Sequence, residues 1–240
     1  MKKAYFNWST GKDSAFALYK ILQQKEYSVT QLVTTVNKDY ERVSMHGLRE
    51  ELLDIQVERL QIPLQKIYFP AQVSMSDYDE AMRKATKSLV NEGFQYGIFG
   101  DIFLEDLRNY REEKLKEISI IGVFPLWKQN TKTLLKEFLS LGFKAITVCV
   151  NAKLLDESFV GRIIDESFIN DLPSTVDPCG ENGEFHTFVF DGPIFSSPIA
   201  FSIGEKVLKT YSPSEKDEDS CSSDDSAWDT AFWYCDLIPK

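Results

Sequence analysis

Apolar residues first gather at positions 4–6 (Ala-Tyr-Phe) and then recur at Ala15, Leu18 and Leu22, with Ala17 and Ile21 beside them. A short extended run followed by a 3.6-residue period predicts a strand, a turn and a helix. The alternation repeats. Residues 29–36 (Val-Thr-Gln-Leu-Val-Thr-Thr-Val) are β-branched enough for a second strand. Asn37 to Tyr40 then reads as a turn. Met45-His46-Gly47 opens a helix with Leu48, Leu52, Leu53 and Val57 on its inner face, broken by Ile62-Pro63-Leu64. Residues 65–69 form the third predicted strand. Ser76 is the expected cap of the next helix, with Asp79 three residues on. That helix carries Tyr78, Met82, Ala85 and Leu89 inward and stops at Gly93. Residues 96–99 and 120–124 are further apolar runs, separated by a charged helix over 105–118.

Strands alternating with single-helix crossovers predict an α/β fold: a parallel twisted sheet, Rossmann-like, with helices on both faces. In such sheets ligands collect beyond the carboxyl ends of the strands, at a switch in strand order. Three polar groups fall there: residues 9–14 after the first strand, Asn37 and Asp39 after the second, and Gly100-Asp101 after a later one. Pro125 is a natural boundary, giving residues 1–125 and a smaller C-terminal α/β unit, residues 126–240. In the second unit Thr131 caps a helix with Leu134, Leu135, Phe138 and Leu139 inward, closed by Gly142. A strand follows at 144–150, and residues 155–169 contain another helix. The end reads as a hairpin of residues 198–211 and 231–238. Between them, residues 212–226 are rich in Ser, Asp and Glu and too poor in apolar surface to order themselves, so an exposed acidic loop is expected.

The candidate chemistry begins at Ser9-Thr10-Gly11-Lys12-Asp13-Ser14. A turn entering a helix aims backbone N–H groups and the helix dipole at one point, which favours an anion. Gly11 allows close approach, the hydroxyls donate hydrogen bonds and Lys12 adds charge. The Walker A spacing is not met: Phe6 stands where its first glycine belongs, and Asp13 follows Lys12. The stretch instead resembles the Ser-Gly-Gly-x-Asp-Ser loop of ATP pyrophosphatases, which hold ATP by its pyrophosphate end. Thr10 replaces the first glycine, a change compatible with the loop if Thr10 keeps an ordinary φ.

Composition narrows the setting. The 240 residues are 43% hydrophobic with a net charge of −10. No apolar run approaches the roughly 18 residues of a membrane span, and the start of the chain has no signal-peptide pattern, so a cytoplasmic protein is expected. Cys149, Cys179, Cys221 and Cys235 are widely spaced and there are two histidines, which argues against structural zinc and a disulfide framework. The acidic balance argues against a nucleic-acid partner, as Arg108, Arg111, Lys114 and Lys116 are interleaved with acids.

A second motif joins the first. Residues 180–193, Gly-Glu-Asn-Gly-Glu-Phe-His-Thr-Phe-Val-Phe-Asp-Gly-Pro, resemble the C-terminal signature of the diphthine–ammonia ligase family. Met45-His46-Gly47, Gly100-Asp101-Ile102-Phe103 and Pro125-Leu126-Trp127 fall at matching places between the two motifs. The resemblance implies an ATP-binding unit (1–125) and an acceptor-binding unit (126–240). It implies Mg-ATP, adenylation of a carboxylate with release of pyrophosphate, and displacement of AMP by ammonia. By that resemblance Ser9, Thr10, Gly11, Lys12, Asp13, Ser14, Val36, Asn37 and Gly100 would hold ATP, with adenine against the backbone at Val36 and Asn37. Asp13 would face Mg²⁺ or orient the loop, and Asp101 would position the metal or a water. His46, Glu181, Gly183, Glu184, His186 and Thr187 would bind the acceptor. Lys12, Asp13, Asp101, Glu184 and His186 would carry the chemistry. His186 stands where the family pattern has a glutamate, as in a separate, largely bacterial branch. The expected partners are therefore ATP, ammonia and a carboxylate on a modified protein side chain or on a small molecule such as a corrinoid, with further copies of the chain in a homo-oligomer. The rivals are a tRNA-modifying transferase with the same loop and a nucleotide sensor without turnover.

Overall fold

A computed structural model describes residues 1–44, 46–211 and 230–240. Met45 and the acidic stretch 212–226, read above as part of a helix opening and as an exposed loop, lie outside the described residues or within the gap at 212–229.

The first half forms β1 (Lys2–Asn7), α1 (Lys12–Gln24), β2 (Tyr27–Asn37), β3 (Arg42–Val43), α2 (Glu50–Leu60), β4 (Leu64–Phe69), α3 (Met75–Asn91), β5 (Tyr96–Ile98), α4 (Glu105–Lys116) and β6 (Ile121–Val123). The parallel strands lie in the order β4-β2-β1-β5-β6, and β3 adds a short antiparallel pair at the end of β2. The chain winds outward from β1 to β4, then restarts on the other side of β1 at β5. The carboxyl ends of β1 and β5 therefore bound the crevice such sheets use for ligands.

Side chains alternate across the sheet, and both faces are covered. Ala4 and Phe6 of β1 belong to the core shared with α1 and α2, while Tyr5 joins Val33, Ile67, Leu89, Phe99 and Leu115 on the side of α3 and α4. This is the predicted α/β architecture.

The second half contributes α5 (Thr131–Ser140), β7 (Lys144–Asn151), a 3₁₀ turn (Glu157–Phe159), α6 (Glu166–Asp171), β8 (Phe185–Asp191), β9 (Phe201–Tyr211) and β10 (Thr230–Pro239). Its four strands form a separate antiparallel sheet, ordered β8-β7-β10-β9. No gap divides the interior. Phe16 of α1 meets Phe138 and Phe143 edge-on, at 6.1 and 6.3 Å between ring centroids, and one apolar core runs from α1 and α2 into the second sheet.

Several helix starts differ from the sequence reading. Ser74, not Ser76, caps α3 by accepting from the Asp77 N–H, and Asn130, not Thr131, caps α5 through Thr133. In each case the capping side chain sits one or two residues before the expected one. The α2 helix begins at Glu50, after Leu48. The helix expected within 155–169 is instead one 3₁₀ turn and the six-residue α6. Asp156 and Asp165 bond the N–H groups of Ser158 and Phe168, and Gly161 between them turns left-handed at φ +69°. Such side-chain bonds compete with continuous helix.

Candidate functional site

The loop between β1 and α1 is held from several directions. Ser9 Oγ lies 3.1 Å from Ser14 Oγ, which itself donates to the Gly11 carbonyl at 3.1 Å. The Trp8 carbonyl accepts from Thr34 Oγ1 at 2.7 Å, and the Trp8 indole donates to Gln56 at 2.9 Å. The Gln56 amide then donates to the carbonyls of Thr10 and Val189, at 3.1 and 2.6 Å. Gln56 is fully buried and connects the loop to β8.

Thr10 departs from expectation. Its φ is +73°, in the left-handed region, which a β-branched residue adopts only under strain. The conformation is enforced by burial and by the Thr10 carbonyl, which accepts from both Gln56 and the Val189 N–H. Gly11 has φ −88° and needs its missing side chain for a different reason. A Cβ there would stand 2.9 Å from His46 Cε1 and 3.2 Å from the Thr187 carbonyl.

Those contacts show how the second motif reaches the first. The Lys12 N–H donates to Thr187 Oγ1 at 3.0 Å. The Lys12 ammonium, almost fully buried, grips both oxygens of half-buried Asp13 at 2.8 and 2.7 Å and donates to the Cys179 carbonyl. Burial works against that charge, but Asp13 outweighs it and the ammonium is held above its ordinary range. His46 and His186 stack with ring centroids 4.7 Å apart. Burial, followed by the Lys12 charge, lowers His186 to about 4. Burial and the neighbouring His186 push His46 well below the usual imidazole range. Both rings are neutral at pH 7.

The two glutamates of the motif separate in role. Glu184 is buried and turned into its own loop, accepting from the N–H groups of Asp177 and Asn182 and from the Asn182 amide at 2.9–3.0 Å. It is not part of the cavity wall. Glu181 faces the cavity and accepts from the Ile102 N–H at 2.7 Å, tying the motif to the loop after β5. Burial, against that N–H and with a smaller push from Asp13, raises Glu181 to about 7.

On the far wall, Gly100 lies against α1: a Cβ would stand 3.0 Å from Asp13 C and Ser14 N. Asp101 pairs with Arg111 of α4, with 3.0 Å between Oδ2 and Nε. Those two buried atoms lack a hydrogen bond, while Arg111 Nη2 donates to the other oxygen, Oδ1, at 3.4 Å. Burial raises Asp101, with Arg111 pulling the other way.

These parts enclose a cavity of about 710 Å³. Ser9, Gly11, Lys12, Asp13, Ser14, His46, Gly100, Asp101, Glu181, Gly183, His186 and Thr187 line it. Thr10 and Glu184 lie behind its wall, and so do Val36 and Asn37; the β2 residues at the cavity are Val33, Thr34 and Thr35. Asn37 caps its own turn instead, accepting from the N–H groups of Asp39 and Tyr40. Arg111 and Gln56 were missed from the sequence. Arg111 reads there as one charge in a mixed run, and a lone Gln between apolar helix residues carries no signal at all.

Asp13 and Asp101 fit a magnesium ion better than a closed metal cage. Among the described residues no cluster of three or more His, Cys, Asp or Glu could hold a metal, whereas Mg²⁺ uses one or two carboxylates plus phosphate oxygens and water. Both carboxylates are already paired, Asp13 with Lys12 and Asp101 with Arg111, so each would exchange part of that pairing to meet the ion.

Fold and loop thus define an α/β protein with a Ser-Thr-Gly-Lys turn at the switch point of its parallel sheet, bordered by a second, antiparallel unit. The chain belongs to the diphthamide synthase family: that family's N-terminal domain matches residues 1–120 and its C-terminal domain residues 130–212. A human diphthine–ammonia ligase is 31% identical over 118 residues, covering 47% of this chain and 44% of that protein. The chain therefore spans less than half the length of such relatives. A zebrafish (Danio rerio) diphthine–ammonia ligase is 24% identical over 83% of this chain and 86% of its own length. Among solved structures, a predicted tRNA methyltransferase subunit from Methanocaldococcus jannaschii covers 80% of this chain and 98% of its own, with a TM-score of 0.42 and 16% identity. Among the described residues no helix is long and apolar enough to cross a membrane.

Proposed function

We propose that this protein is an ATP-dependent carbon–nitrogen ligase that converts a carboxylate to an amide with ammonia. One observation carries the reading: the Ser9–Ser14 loop and the Gly180–Thr187 motif, far apart in sequence, form one cavity joined by the bond from the Lys12 N–H to Thr187. A relative aligned over 83% of this chain is named a diphthine–ammonia ligase.

The chemistry follows from the groups. A carboxylate resists amine attack because oxide would have to leave. Its oxygen instead attacks the α-phosphorus of ATP, the bond from that phosphorus to the bridging oxygen breaks, and pyrophosphate departs. Ammonia, after ammonium gives up a proton, adds to the acyl carbon of the adenylate, and AMP leaves with the electron pair. The loop hydroxyls of Ser9 and Ser14, the α1 N-terminus and Lys12 stabilise negative charge on the phosphates. Mg²⁺ held by Asp13 and Asp101 would supply further neutralisation. Adenine is assigned to the β2 edge at Val33 to Thr35. Glu181, raised to about 7, is the group in this cavity suited to take the ammonium proton near neutral pH. The neutral His46–His186 pair faces the reacting carboxylate, and Glu184 holds the motif's shape. In this reading residues 1–125 supply the ATP site, residues 126–240 complete it, and the protein works in the cytoplasm, where ATP is available.

The test is release of AMP and pyrophosphate from α-labelled ATP with ammonium and a panel of carboxylates. Lys12→Ala and Ser14→Ala should each abolish or strongly reduce it. ATP binding without acceptor-dependent AMP across the panel would favour a sensor instead.

A further inference from the structure

Beside the loop cavity lies a second one of about 420 Å³, between α3 and α4 under the sheet. That volume suits a small organic ligand. Its floor is polar, at Tyr5, Asn7 and Thr86, and its sides include the apolar Leu115 and Ile118. Charges of both signs ring its mouth, where Lys114 pairs with Asp79 at 2.7 Å. Nothing in the ligase reading so far uses this space.

The two cavities are neighbours. Asn7, Tyr78, Met82, Phe99 and Arg111 belong to the walls of both. Of these five only Arg111 is charged. Its guanidinium lies 4.7 Å from the centroid of the Phe99 ring, which fixes the group at the seam. It is paired with Asp101 on the loop side, but loosely: Nη2 donates to Oδ1 at 3.4 Å, while Nε and the Oδ2 that faces it are both buried without a hydrogen bond. A planar guanidinium with donors to spare is the side chain best matched to a carboxylate.

The geometry points to the α3–α4 cavity as the seat of the acceptor, with Arg111 receiving its carboxylate at the seam. This deepens the ligase reading and rests on it. An acceptor entering body-first into the α3–α4 cavity leaves its carboxylate at Arg111, facing the chamber that holds the phosphate loop. The chemical class is a carboxylate on a partly apolar or aromatic body. The C-terminal motif then faces the reacting end from the opposite wall, where ammonia must arrive. Asp101 sits between the two functions, on Arg111 in the structure and toward the phosphates in the ligase reading.

The experiment uses the full chain and a series of ω-phenyl carboxylates from phenylacetate to 5-phenylvalerate, each with its amide as the neutral twin. Binding is read by saturation-transfer NMR with α,β-methylene-ATP and Mg²⁺ present, and nucleotide affinity is measured in parallel. At least one acid should bind and its amide should not. Arg111→Gln should weaken the acid tenfold or more, with Arg111→Lys recovering part of the loss. Met82→Trp, which fills the seam without touching the charge, should weaken it similarly. Because Arg111 and Met82 also border the loop cavity, nucleotide affinity should fall in these variants too, but by less than acid affinity. The assignment is overturned if no acid binds while the nucleotide does, if acid and amide bind alike, if Arg111→Gln binds acid as the wild type does, or if Met82→Trp weakens the nucleotide and spares the acid. Failure of the wild-type chain to bind the nucleotide would instead remove the ligase reading itself.

Discussion

Replacing Gln56 with leucine tests whether the loop is held in shape by a buried amide. Leucine nearly preserves volume, so the change isolates hydrogen bonding from cavity formation. Three bonds disappear: the Trp8 indole to Gln56, and Gln56 to the carbonyls of Thr10 and Val189. The Trp8 N–H would be left buried without that acceptor, costing about 1–3 kcal/mol, and each lost carbonyl bond costs about 0.5–1.5 kcal/mol. The sum is about 2–6 kcal/mol, a large part of the roughly 5–15 kcal/mol that holds a typical domain together. With a urea slope of about 2–3 kcal/mol per molar, the unfolding midpoint should fall by about 0.7–3 M at unchanged slope. Gln56→Glu separates the contributions, since glutamate keeps an acceptor for Trp8 but sets a carboxylate against two carbonyls; it should be at least as destabilising. Thr10, strained at φ +73°, should also relax once its carbonyl loses Gln56, so ATP affinity should drop in both variants. A leucine variant within about 0.5 kcal/mol of the wild type would refute the argument.

Other consequences can be checked directly. Gly11→Ala places a methyl 2.9 Å from His46 and 3.2 Å from the Thr187 carbonyl, so it should weaken ATP binding by an order of magnitude or more; unchanged affinity would show that the two motifs can part without cost. The chain has only two histidines, so their ring-proton NMR signals are easily assigned. Neither should titrate between pH 8 and 5.5, and a midpoint near 6.5 for either would contradict the burial. The folded pKa of His186, about 4, lies below its unfolded value of about 6.5. The neutral ring therefore favours folding above pH 6.5, and that contribution is lost as pH falls from 6.5 through 4; His186→Gln should flatten the stability profile across that window. His186→Glu should change which acids are amidated far more than it changes ATP affinity, and equal losses in both would place the ring on the nucleotide side.

The sheet was legible because its central strand is buried on both faces at Ala4, Tyr5 and Phe6, because β2 is rich in β-branched residues, and because each crossover is about one helix long. The Ser9–Ser14 loop was legible because hydroxyl, glycine, lysine and acid occur together between a strand and a helix. What escaped was set by contacts distant in sequence. Thr10 takes its left-handed backbone from bonds to α2 and β8. Glu184 looks like Glu181 in the chain, yet one folds into its loop and the other reaches the Ile102 N–H. The pair Asp101–Arg111 needs the turn into α4 to bring its members together. The two-residue β3 is too short to show a period, and the cavity meets β2 a little before the expected Val36 and Asn37, at Val33 to Thr35.

The bond from the Lys12 N–H to Thr187 spans 175 residues of chain. Closing a loop of that length costs entropy before any contact repays it, and contacts so distant form late during folding. The Ser9–Ser14 turn can appear early, from neighbouring residues, but its far wall cannot. Nucleotide affinity is therefore a late reporter: in refolding it should emerge after the bulk of the helix and sheet signal. A nascent chain that has made its first half would carry the turn without a working grip on ATP.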